Sequence, residues 1–107
     1  MSKAVTDRMV KSFLDLFVLD LLDTGPKHGY EIMRELKNRT GTIIGAGTLY
    51  PLLYELEERE LVDGEWNSPN RRSRKIYKIT DHGTKYKRQG FRGIGMLIRG
   101  TDRESSG

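Results

Sequence analysis

The chain contains no cysteine, so disulfides, thiolate metal sites and thiol nucleophiles are excluded together. With only two histidines, His28 and His82, it lacks the ligands for a histidine-built metal site. No apolar run approaches the roughly 18–20 residues that span a bilayer, and residues 1–11 lack the basic-then-apolar layout of a secretory signal. Three prolines leave long stretches free to be helical. No nucleophile–base pair or phosphate-cradling loop is present, and Gly45-Ala46-Gly47 has neither the strand–loop–helix context nor the lysine of a nucleotide loop. The expectation is a non-enzymatic, cytoplasmic protein without cofactor or metal. At 107 residues there is room for one compact domain.

What is abundant is charge, and it is unevenly placed. Residues 1–65 carry 8 Lys/Arg against 12 Asp/Glu, a net of −4, whereas residues 66–107 carry 11 against 3, a net of +8. A basic pole of this kind attracts polyanions, either nucleic acid or an anionic membrane surface. The sequence has no basic amphipathic helix with aromatic anchors, which argues against the membrane.

From Asp7 to Leu22 apolar residues recur at steps of three and four, predicting one helix with a broad buried face. Asp23-Thr24-Gly25-Pro26 ends it. A second helix is predicted over His28–Arg39 and closes at Thr40-Gly41-Thr42. Proline belongs in the first turn of a helix, so Pro51 places the start of a third helix at about Ala46–Thr48, running to about Glu60 with Leu49, Leu52, Leu53 and Leu56 inward. Leu61–Trp66 and Ser73–Ile79 read as two strands of a hairpin around the turn Asn67-Ser68-Pro69-Asn70. Thr80 is a suitable N-cap for a last helix, weakened by Gly90, Gly93 and Gly95 at about 1 kcal/mol each. Residues 101–107 read as a flexible polar tail.

Helix, helix, helix, basic hairpin, helix is the order of a winged helix-turn-helix: a mainly α fold with a small β-hairpin wing. The expected division is a winged-helix domain over residues 1–83, a C-terminal dimerisation helix over 84–100 and the tail.

Several motifs then occur in order. Gly25-Pro26-Lys27-His28-Gly29-Tyr30-Glu31-Ile32 resembles the G-x-x-H-G-Y-x-I opening of the PadR-like transcriptional regulators. Gly47-Thr48-Leu49-Tyr50-Pro51-Leu52-Leu53 resembles that family's G-T-L-Y-P-x-L signature. Leu56-Glu57, Trp66 and the stretch from Arg74-Lys75-Ile76-Tyr77 to Thr80-Asp81-His82-Gly83 are similar to its wing and exit. The resemblance covers Met9 to Gly83. It implies a homodimeric DNA-binding repressor of the short type, acting on a pseudo-palindromic operator in double-stranded DNA, with its last helix packed against the partner's N-terminal helix. Phe13, Phe17, Phe91, Ile94, Leu97 and Ile98 fit that dimerisation use. Whether a small-molecule effector exists is not encoded. The other reading of the same residues is a winged helix used as a protein-interaction module without DNA.

Candidate DNA contacts follow from placement. Thr48 either caps the third helix or donates to a phosphate, and Tyr50 either reads bases or packs under the wing. Tyr54 faces DNA or the wing, and Tyr30 is core or a phosphate-facing brace. Lys27 is a backbone-contact candidate. Arg71, Arg72, Arg74 and Lys75, with few acidic neighbours in sequence, are expected to meet phosphates or a narrow minor groove. The third helix has no Arg, Asn or Gln near its start, so readout leans on phosphates and groove shape. Trp66 reads as a packed structural residue.

Overall fold

A computed structural model describes residues 2–66 and 75–106. The elements are α1 (Lys3–Ser12), α2 (Leu14–Leu22), β1 (Lys27–His28), α3 (Gly29–Thr40), α4 (Ala46–Glu58), β2 (Val62–Trp66), β3 (Lys75–Ile79) and α5 (Asp81–Ser106). The strands form one antiparallel sheet in the order β1-β3-β2, with Lys27 opposite Tyr77 and Trp66 opposite Lys75. The architecture is a winged helix-turn-helix, with α3 and α4 as the helical pair and β2–β3 as the stem of the wing. The expected turn Asn67–Asn70 and the cations Arg71, Arg72 and Arg74 lie outside the described residues.

The core is a leucine-rich cluster in which Val18, Leu19, Ile32, Leu36, Leu49, Leu53 and Leu56 are fully buried. Each such side chain contributes about 1.5–3 kcal/mol on leaving water. The spacing of Leu49, Leu53 and Leu56 gives α4 its inner face and leaves Gly47, Tyr50, Pro51 and Tyr54 on the outside.

Three expectations about the elements are corrected. The single helix over Asp7–Leu22 is two: Phe13 adopts φ −118°, ψ 32° and separates α1 from α2, while its N–H still bonds the Met9 carbonyl. A third strand, Lys27–His28, precedes α3, where no strand was expected and the helix was read as starting at His28. The last helix does not end near residue 100 but continues to Ser106, since nothing beyond Gly100 is a proline that would stop it.

Two junctions fix α5. Thr80 caps it, its Oγ1 accepting from the Gly83 N–H at 2.9 Å and donating to the Glu60 carbonyl at 2.7 Å. Gly83 lies so close to the chain that a Cβ there would sit 2.1 Å from the Leu61 carbonyl oxygen, so only glycine fits. Further along, Gly90 seats against Leu16 of α2, where a Cβ would meet a Leu16 methyl at 2.6 Å. Gly90 thus serves as a notch for close helix packing. Tyr86 donates to Asp15 at 2.7 Å, and the Lys87 ammonium bridges Asp20 at 3.3 Å and Asp23.

Candidate nucleic-acid interface

The exposed end of α4 is electrostatically one-sided. Its first turn holds no acidic residue, and its N-cap, Gly45, supplies no side-chain bond to the free N–H groups. Thr48 is therefore not the cap. It is the third residue of the helix, within the first turn, exposed, beside Lys11, Ser12, Asp15 and Glu55 in a groove between α4 and the α1–α2 junction. The carboxylates of Glu55, Glu57 and Glu58 all lie in the second half of the helix. Only the leading end of α4 is suited to approach a polyanion.

Tyr50 divides its surface between two tasks. Its ring lies against Gly29, where a Cβ would come within 2.7 Å of the phenol, and yet 43% of the residue is exposed. The glycine between His28 and Tyr30 is thus what lets α4 close on the start of α3. Tyr54, one turn on, is 65% exposed, and a hydrogen bond to Glu58 raises its phenol above the ordinary tyrosine range.

Tyr30 is not a core residue: it is exposed in the first turn of α3, with the Arg34 guanidinium 5.7 Å from its ring centroid. Glu31 accepts from the His28 N–H at 2.9 Å, and that bond holds its carboxyl below the usual carboxylate range. Lys27 turns inward, with its ammonium 3.3 Å from Glu35 and its side chain 11% exposed.

Lys75 also differs from the exposed cation that the sequence suggests. Its ammonium donates to Glu57 of α4 at 2.8 Å, and that bond raises it above the ordinary lysine value. It lies 5.7 Å from the Trp66 ring centroid and 5.8 Å from that of Tyr77. Gly64 leaves room for the pair, because a Cβ there would lie 2.5 Å from Lys75 Cε and 3.0 Å from a Glu57 oxygen. Trp66 is mostly exposed rather than packed. Glu57 entered the sequence reading only through the motif Leu56-Glu57, with no pairing to Lys75, and Gly64 not at all; the fold gathers Glu57, Gly64, Trp66, Lys75 and Tyr77 into one cluster.

The apolar candidates separate as well. Phe17 packs against the core, while Phe13 and Ile94 line a groove between α2 and α5 together with Leu16 and Gly90. Phe91, Met96, Leu97 and Ile98 are exposed on the far part of α5, and Val5 and Met9 are exposed on α1. Among the described residues no helix is long and apolar enough to cross a membrane, and no group of three metal-ligating side chains is assembled.

Comparison with known proteins agrees with this geometry. A PadR-like transcription factor from Bacteroides fragilis is 30% identical and superposes with a TM-score of 0.78, covering 94% of this chain and 97% of that one. A protein of Lysinibacillus sphaericus is 32% identical over 85 residues, 77% of this chain and 78% of its own length. The structure of Bacillus subtilis PadR in complex with operator DNA is similar in fold, with a TM-score of 0.66 at 23% identity, over 73% of this chain and 45% of that one. The family model described as the Transcriptional regulator PadR-like family matches residues 18–89, which include α3, α4, the wing stem and the first part of α5. The chain, a winged helix-turn-helix whose α4 begins at an uncapped, exposed end, therefore belongs to the PadR-like family of winged-helix transcriptional regulators, which are transcription factors and not enzymes.

Proposed function

We propose that this protein is a homodimeric repressor that works in the cytoplasm by occupying a pseudo-palindromic operator in double-stranded DNA. The observation that carries the reading is the polarity of α4: an exposed leading end with open N–H groups and no carboxylate, in a chain whose wing sequence also holds Arg71, Arg72 and Arg74. In this reading the leading end enters the major groove, with Tyr50 and Tyr54 toward base edges and Thr48 and Tyr30 toward the backbone. The arginines meet phosphates or the minor groove. The second copy is recruited by the apolar far part of α5 with α1, where Met9, Phe91, Leu97 and Ile98 face water in the single chain. A two-fold pair would set two reading heads about 34–36 Å apart, one turn of DNA.

The test is an anisotropy titration against random and genome-selected duplexes at several salt concentrations. Neutralising roughly four to six phosphates per dimer gives a log–log salt slope near −0.9 per phosphate. Failure to bind any duplex at low salt would refute the reading.

A further inference from the structure

We infer that Glu57 and Lys75 form a latch that fixes the root of the wing to the recognition helix, so that Lys75 acts as a positioning residue while its neighbours Arg71, Arg72 and Arg74 meet the DNA. The consequence for DNA rests on the reading above; the latch itself does not.

Its location is the first argument. Trp66 is the last described residue before the wing loop and Lys75 the first after it, and they are cross-strand partners. The Glu57–Lys75 contact, 2.8 Å, ties this pair to the last turn of α4. Wherever the loop goes, it leaves and re-enters the fold through this point.

The enclosure of the ammonium is the second. One carboxylate and two aromatic rings surround it, and only a quarter of the Lys75 side chain is exposed. A cation meant for a phosphate would have to leave all three. Gly64, opposite Tyr77, is the third argument: a Cβ there would lie 2.5 Å from Lys75 Cε and 3.0 Å from a Glu57 oxygen. With no Cβ at that position, the strand leaves open the space in which the pair forms.

Simple electrostatics and a latch predict opposite signs for one substitution. Removing a negative charge near a polyphosphate should tighten binding, so Glu57→Gln would strengthen DNA affinity if Glu57 merely faced the field. If it holds the wing root, Glu57→Gln weakens binding at least about tenfold and lowers the salt slope by about 1 to 2, because wing phosphates are released. Lys75→Gln should do the same.

The experiment uses the full chain, a random-sequence duplex and the best duplex selected from it. Trp66 is the only tryptophan, so its indole N–H resonance reports on the latch without DNA. We expect Glu57→Gln and Lys75→Gln to shift that resonance alike and to weaken binding alike. The exchange of Glu57→Lys with Lys75→Glu should restore most of both, as should Lys75→Arg alone. A Glu57→Gln that binds as tightly as wild type or tighter overturns the inference, and so does an indole resonance indifferent to both single variants. Should either single variant unfold, the exchange decides: recovery supports the latch, and no recovery overturns it. If wild type binds no duplex, the DNA reading fails while the indole comparison still judges the latch.

Discussion

The near and far parts of α5 are built to different rules. From Gly83 to Gly90 the helix is fastened to its own protomer, by close backbone approach at Leu61, by Tyr86 on Asp15, by Lys87 on Asp20 and Asp23, and by the Gly90 notch on Leu16. Past Ile94 these attachments give way to exposed Met96, Leu97 and Ile98, with Leu97 at 76%. The near part spends its small and polar residues on intramolecular fit. The far part presents large apolar side chains to water, which suits the interface proposed above.

The largest way to break this contrast is to charge the far part. In the proposed dimer, Leu97→Glu with Ile98→Glu removes four apolar side chains, two from each protomer, and at about 2 kcal/mol each should raise the dissociation constant well over a thousandfold. Sedimentation should then show monomers whose circular dichroism keeps the winged core; an unchanged dimer would place the interface elsewhere.

Next is Gly83→Ala, which forces a methyl group into the Leu61 carbonyl. We expect a loss of about 3 kcal/mol, read as a lower denaturant midpoint, because neither backbone can yield cheaply. Stability at the wild-type level would mean that α5 leaves β3 along a different path.

The smallest effect concerns Lys87. Its hydrogen bond to Asp23 raises the ammonium above the ordinary value of 10.5, against the opposing pull of desolvation. A raised folded-state pKa gives stability that is complete below the unfolded pKa and is lost as pH climbs through the folded one. Lys87→Gln should therefore cost about 1 kcal/mol near neutrality, and the gap from wild type should close in melts above the folded-state pKa. A gap that persists in strong alkali would mean that packing, and not charge, is what Lys87 contributes.

Much of this architecture was legible in the residues. Pro51 marked the first turn of α4, Thr80 as an N-cap gave the start of α5, and alternation along Ser73–Ile79 gave β3. The break at Phe13 was not legible, because apolar residues continue through it at helical spacing and neither glycine nor proline marks it. β1 was invisible for another reason: two residues carry no periodicity, and Lys27–His28 is a strand only through its register with Ile76 and Tyr77. The glycines of α5 were read by propensity alone, which ranks Gly90 as a defect; its worth depends on Leu16, far away in sequence. Lys75 fails in the same manner. Local charge counting sees a basic run, while the partner that captures it, Glu57, is 18 positions earlier.

The unbroken course of α5 has a geometric consequence for a two-fold assembly. A 26-residue α-helix is a rod about 39 Å long, in which every residue adds about 1.5 Å and about 100° of rotation. In the proposed dimer, with one portion gripped by its own protomer and the remainder by a twin, the rod would work as a ruler with a built-in phase. One residue inserted between Gly90 and Ile94 would swing each reading head by over a quarter turn and out of register with the groove. Seven inserted residues would nearly restore the orientation and push the heads outward, favouring operators with half-sites set farther apart.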